Sequence, residues 1–209
     1  MAEVLRSDGH GRKWRRFANS MLASDFFVVV TARFRVFYVF VIMEVGTRKI
    51  AHFNVTDHPT AACTIQQFRE VITGEQPYRF VLHDRDSIYS TELDDALKSL
   101  GVIVLRTPFR APQANSFCER LVGTIRRACL DFLIPLNQRH MRRILKKWVA
   151  HYNQGRPHSS LGPGIPDPGE AFATTRNRHR HQLAHDCKVV GQSVLGGLHH
   201  EYRLERIAA

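Results

Sequence analysis

The stretch Met21-Leu22-Ala23-Ser24-Asp25-Phe26-Phe27-Val28-Val29-Val30 is an apolar run broken by a single acid. Two similar runs follow it, Phe34 to Met43 and Arg48 to Val55, with Arg33 and Gly46-Thr47 in the breaks. Blocks rich in Val, Phe, Tyr and Ile, separated by turn residues, predict three consecutive β-strands. The second block is apolar at nearly every position, as expected of a strand covered on both faces. Asp25 is then the anomaly. A carboxylate inside a buried strand is unfavourable unless its charge is compensated, and a bound cation does this well.

Beyond Asp57-His58-Pro59-Thr60 the period changes. Ala61, Ile65, Phe68 and Ile72 are helically spaced, with Thr60 as cap and Gly74 as stop. A short strand is expected over 79–83. A helix follows, with Thr91 and Asp94 in capping-box spacing, a stripe of Leu93, Leu97 and Leu100, and Gly101 closing it. Residues 102–105 read as a strand and Pro108 and Pro112 as a loop. Two helices follow, over about 113–132 and about 138–152, the second with Met141, Leu145, Trp148 and Tyr152 on one side. The order β-β-β-α-β-α-β-α-α predicts an α/β (α+β) fold, a five-stranded mixed sheet flanked by helices. The expected organisation is a basic lead-in over 1–20, a core over 21–162, and a polar, His-rich tail over 163–209.

Composition narrows the partners. The 209 residues carry 44% hydrophobic and 10% aromatic residues, which suits an ordinary folded core. Thirty Lys and Arg against nineteen Asp and Glu give +11 and a pI near 10.1. Such an excess draws a protein to polyanions, nucleic acid foremost. A basic surface serving only solubility is the competing interpretation. The N-terminus has no apolar signal-peptide segment, and the apolar stretch 36–45 is about half a membrane span. A cytoplasmic protein, nucleoid-associated when on DNA, with no membrane partner, is expected. Cys63, Cys118, Cys129 and Cys187 lack paired spacing and read as reduced thiols. His179, His181, His185 and Cys187 fit no familiar zinc site.

Two more acids join Asp25. Asp84 follows the strand Phe80-Val81-Leu82-His83, and Glu119 lies in the long helix. At roughly 100° per residue, Phe117, Leu121, Ile125, Ala128 and Phe132 fall within about 80° of arc. Asn115, Glu119 and Arg126 gather on the opposite side, within about 40°. A solvated polar face is common on any helix, so this arrangement gains weight only from its company.

That company is a set of motifs. His83-Asp84-Arg85-Asp86-Ser87-Ile88-Tyr89 resembles the H-S-D-x-G-S-x-Y segment of bacterial insertion-sequence transposases. Pro112-Gln113-Ala114-Asn115-Ser116-Phe117-Cys118-Glu119 resembles their P-x-x-N-x-x-x-E segment. Tyr152-Asn153-Gln154-Gly155-Arg156-Pro157-His158-Ser159-Ser160-Leu161 resembles the Y-N-x-x-R-P-H-x-x-L signature that comes next. The separation of the two acids (119 − 84 = 35) and the basic residue seven beyond the Glu (126 − 119 = 7) also resemble the pattern. The similarity, to DDE-type transposases and retroviral-type integrase cores, spans roughly residues 14–162. Asp86 departs from the usual Gly, a trait shared with related integrase-like sequences. Glu44 and Asp57 are rival acids for the Asp25 position.

The resemblance implies an RNase H-like fold and a DDE-type polynucleotidyl transferase acting on DNA. It assigns metal ligation and catalysis to Asp25, Asp84 and Glu119, holding two Mg²⁺ or Mn²⁺ ions. All-oxygen ligands favour these hard cations over Zn²⁺. Asn115, Arg120, Arg126, Arg127, Arg142 and Lys146 are the expected DNA contacts. Transposon ends and target DNA are the expected partners, with a homo-oligomer on DNA. Only about twenty residues precede the core, where relatives carry an end-recognition domain. Either a separate end-recognition protein supplies that role, or the chain is a truncated, inactive remnant that only binds or assembles on DNA.

Overall fold

The three apolar blocks do pair as strands. The computed structural model describes residues 16–75, 77–84, 88–107, 115–162, 164–169 and 186–207. In it β1 (Met21–Val30), β2 (Val36–Glu44) and β3 (Ile50–Thr56) form an antiparallel meander. β4 (Phe80–His83) and β5 (Ile103–Arg106) run parallel to β1, giving the order β3-β2-β1-β4-β5. This mixed five-stranded sheet with helices packed on it is the expected RNase H-like architecture. β1 sits at its centre, between an antiparallel and a parallel neighbour.

Each sheet face has its own core. On one face, α1 (Ala61–Val71) and α2 (Thr91–Ser99) pack Ile65, Phe68, Leu93 and Leu97 against Leu22, Phe40, Ile42 and Val81. Phe68 is fully buried and meets Phe40 edge-on at 5.6 Å. Burial of such a side chain stabilises by about 1.5–3 kcal/mol. On the other face, α3 (Ser116–Ile125) brings Cys118 against Met21, Ala23 and Leu82. Residues alternate along β1 because successive side chains point to opposite faces. Leu22 and Ser24 therefore face α1 and α2, while Ala23 and Asp25 face α3.

Thr60 caps α1 as expected, accepting from the Cys63 amide at 3.1 Å. Gly74 and Gly101 take the positive φ (88° and 82°) that their stop positions require. The cap of α2 differs from expectation. Ser90, not Thr91, accepts from the Leu93 amide, and Asp94 is buried and bonded elsewhere. The long helix also differs. It is α-helical only over Ser116–Ile125 and continues as a π-helical turn, Arg126–Leu130, closed by the Asp131 amide on the Arg126 carbonyl at 2.9 Å. The wider turn shifts the register of the residues beyond it. Cys118, Leu121, Ile125 and Cys129 form the buried stripe, and Phe132, expected to be buried, is 64% exposed.

Helix α4 (Gln138–Gln154) carries Met141, Leu145, Trp148 and Tyr152 as buried positions, with Ile144 among them. The chain divides into two compact units, Met1–Arg142 and Arg143–Ala209. Within the second, the stretch read as a tail contains a hairpin of β6 (Cys187–Val194) and β7 (His199–Arg206). Among the described residues, no helix is long and apolar enough to cross a membrane.

Candidate active site

The β1–β4 register sets the site. Met21 pairs with Phe80, Leu22 with Val81 and Ala23 with Leu82, an offset of 59 residues. Continued two residues further, the same offset brings Asp84 level with Asp25 on the neighbouring strand. Both share the parity of Ala23 and Leu82, so both carboxylates belong to the face covered by α3. Glu119 lies in the first turn of α3, directly after Cys118, whose thiol is buried against that face.

The Cys118 thiol lies fully buried on that face. Burial pushes its pKa well above the ordinary value, and the negative charges of Asp25, Asp84 and Glu119 push it further. Because that thiol is held protonated, the donors around it are oxygens. Among the described residues, no group of three His, Cys, Asp or Glu side chains stands in a metal-holding arrangement. The donor chemistry nonetheless fits Mg²⁺ or Mn²⁺: three carboxylates and no competing thiolate.

Individual placements differ in character. Asp25 is half-buried, and its Oδ1 accepts from the Phe26 amide at 2.8 Å. Asp84 is half-buried at the end of β4, and Glu119 is exposed. Asn115 does not lie on the exposed helix face. It precedes α3 with non-helical φ/ψ (−105°, 29°), is 3% exposed, and donates through Nδ2 to the Ser24 carbonyl at 3.2 Å. Its Oδ1 is buried without a hydrogen-bond partner. Arg126 donates to the Val28 carbonyl at 3.0 Å and stands over the Phe27 ring at 5.6 Å. Asn115 and Arg126 thus fasten α3 and its π turn along β1, one on each side of Asp25 in sequence.

Arg120, Arg127 and Lys146 are exposed cations. Arg142 is also exposed, but its guanidinium donates to Asn54 Oδ1 at 3.1 Å and to the Val55 carbonyl at 2.6 Å. The rival acids are engaged elsewhere. Glu44 accepts from the Tyr78 hydroxyl and the Thr47 hydroxyl, each at 2.6 Å. Asp57 lies 3.1 Å from His58 and 3.4 Å from Arg35. Asp86, Ser87, residues 112–114 and the histidines at 179, 181 and 185 lie outside the described residues. All four cysteines are free thiols.

One cluster is not foreseen by the sequence. Behind Asp84, His83 stacks on Tyr89 at 4.4 Å, and Tyr89 reaches Ser24 Oγ at 3.3 Å. Burial drives the Tyr89 hydroxyl pKa well up, and the charges of Asp25 and Asp84 add to this. His83 and Tyr89 both fall in the motif around Asp84, but the sequence does not show that they stack or that Tyr89 reaches Ser24. A separate hollow of about 310 Å³ in the second unit is lined by Lys147, His151, Gln154, Ser193 and Glu201, and contains none of the expected site residues.

Comparison with known proteins agrees with the motifs. Residues 100–166 match the family described as Integrase core domain. The chain is 27% identical over 130 residues to the transposase InsD for insertion element IS2A/D/F/H/I/K of Escherichia coli, covering 57% of this chain and 42% of that protein. The transposase InsD for insertion element IS2D of Escherichia coli (strain K12) aligns equally well. The chain spans about half the length of the curated relatives it matches. The fold resembles the HTLV-2 integrase catalytic core domain in complex with magnesium, with TM-score 0.55, 14% identity, and 71% of this chain on 93% of that one. It also resembles the catalytic domain of Mos1 mariner transposase, with TM-score 0.57, 16% identity, and 68% of this chain on 74% of that one. The resemblance to transposase and integrase catalytic cores therefore holds in both sequence and fold.

Proposed function

We propose that the chain is the catalytic core of a transposase or integrase that cuts DNA strands and joins the freed 3′ ends to new DNA. The observation that carries this reading is the placement of Asp25 in the central strand, of Asp84 just past the end of its parallel neighbour β4, and of Glu119 in the first turn of the helix that packs on β1. Asp25, Asp84 and Glu119 would hold two Mg²⁺ or Mn²⁺ ions. When bound, such ions supply activation of the attacking oxygen and stabilisation of the leaving 3′ oxygen.

The protein's own part is positional. Asp25 is built into the central strand and Asp84 follows directly on its parallel neighbour, which supports a pair of carboxylates positioned before any ligand arrives. Asn115 and Arg126 fasten α3 to β1, which would limit how far Glu119 can move from that strand. Cys118, next to Glu119, packs as a small buried thiol against Ala23 and Leu82. Arg120, Arg127 and Lys146 supply positive charge for phosphates, and Arg142, anchored through Asn54 and Val55, adds to that field. No protein nucleophile is needed, because water and then the DNA 3′-hydroxyl attack in turn. Transposon ends and target DNA are the substrates, with a homo-oligomer bringing two ends together.

Incubation of the full chain with Mn²⁺ and labelled transposon-end DNA tests the reading. Nicking and joining that vanish in Asp84→Asn are the expected result. Binding without any strand cleavage would leave the DNA-binding, assembly-only alternative in its place.

A further inference from the structure

The buried polar cluster behind Asp84 is separate from the residues proposed to hold metal or contact DNA. His83 is fully buried, and its Nδ1 donates to the main-chain carbonyl of Asp84 at 2.6 Å, since a carbonyl only accepts. On the opposite edge of the ring, Nε2 lies 3.0 Å from Asp94 Oδ1. The other Asp94 oxygen accepts from Arg106 Nε at 2.6 Å, and a second guanidinium nitrogen also contacts it. Asp94 is 4% exposed, whereas the Arg106 side chain is 41% exposed.

A buried carboxylate is strongly unfavourable unless paired and hydrogen-bonded. Arg106 alone already pairs Asp94, so a purely structural ion pair has no need of an imidazole. Here the imidazole sits between the ion pair and the backbone of the acid at the strand end. Its plane is fixed by the Tyr89 ring, stacked at an interplanar angle of 10°, and Tyr89 is in turn bonded to Ser24, the neighbour of Asp25. The chain of contacts therefore runs through buried groups from the backbone of Asp84 to the Ser24 side chain, next to Asp25 in β1.

We infer that His83, Asp94 and Arg106 form a positioning relay that fixes the direction in which Asp84 presents its carboxylate. This rests on the proposed role of Asp84 as a metal ligand. Groups that orient metal ligands by hydrogen bonding typically change metal affinity or activity by about 10–100-fold when removed.

The test is Mn²⁺ binding to the full chain, read by electron paramagnetic resonance, with circular dichroism as the check on folding and cleavage measured across Mn²⁺ concentrations. His83→Gln and Asp94→Asn should keep the wild-type spectrum and bind Mn²⁺ about 10–100-fold more weakly. Their cleavage should recover at high Mn²⁺, which a general loss of packing would not produce. Asp84→Asn separates the two ideas. If it leaves Mn²⁺ affinity unchanged, the metal-site reading fails and takes the relay with it. If it weakens binding while folded His83→Gln and Asp94→Asn match wild type, the relay alone is overturned. Should either buried variant unfold, Arg106→Gln at the part-exposed end carries the same test. Unfolding there, or unchanged affinity, assigns the cluster to stability only and overturns the inference.

Discussion

Asp25 in β1 and Asp84, one residue past the end of the parallel strand β4, are 59 residues apart in sequence, the same offset that pairs Ala23 with Leu82. The offset comes from the Met21–Phe80 and Ala23–Leu82 pairs. Two like charges held this way repel, and neutralising either should relieve the repulsion. Asp25→Asn or Asp84→Asn should raise stability to urea in EDTA by about 0.5–2 kcal/mol while abolishing metal-dependent cleavage. Loss of stability in both variants would contradict the placement.

Glu44 is an acid of the opposite kind. Both of its oxygens accept from hydroxyls of Tyr78 and Thr47, and burial followed by the Glu44 hydrogen bond raises the Tyr78 pKa strongly. Glu44→Ala should therefore destabilise the fold by about 1–3 kcal/mol, the range for a hydrogen bond to a charged group. Mn²⁺ affinity should not move. Denaturant melts and metal titration on the same sample check both halves.

Arg126 combines a hydrogen bond to the Val28 carbonyl with a position over the Phe27 ring. Arg126→Ala should lose about 1–2 kcal/mol of stability and also reduce strand joining. Arg126→Lys keeps the charge but loses the planar fork, so joining should recover only in part. Equal joining by wild type and Arg126→Ala would remove it from the reaction.

The four thiols should react in two classes. Burial pushes Cys118 well above the ordinary thiol range and Cys129 up to about 12, so neither supplies thiolate at pH 8. A disulfide reagent added to the native chain should label Cys63 and Cys187, which are partly accessible, and spare the other two until urea is added. Mass spectrometry of the peptides reads the outcome directly.

Much of this architecture is legible locally. The apolar blocks from Met21 to Val55 announce strands by composition, and Asp25 stands out because it violates its own block. The motifs around Asp84 and Glu119 are contiguous and need no tertiary information. The features that stay hidden depend on distant partners. Asp94 fits a capping box by spacing, yet Arg106, twelve residues on, claims its carboxylate, and the cap falls to Ser90. A uniform 100° projection cannot contain the turn at Arg126–Leu130, and so it misplaces Phe132. The same projection puts Asn115 on a helix that begins one residue later. The β6–β7 hairpin lacks a buried face, with Val189, Tyr202 and Leu204 all more than half exposed, so its sequence shows no clean apolar alternation.

The place of β1 at the centre of the sheet has a consequence for how the chain acquires its chemistry. Pairing with β2 needs only a short loop and closes early, whereas pairing with β4 must bring together residues 59 apart and comes late. Asp84 reaches Asp25 only in that second step, and Glu119 joins from still further along the chain. A half-folded molecule, however basic, therefore lacks the set of acids that the proposed strand cleavage needs.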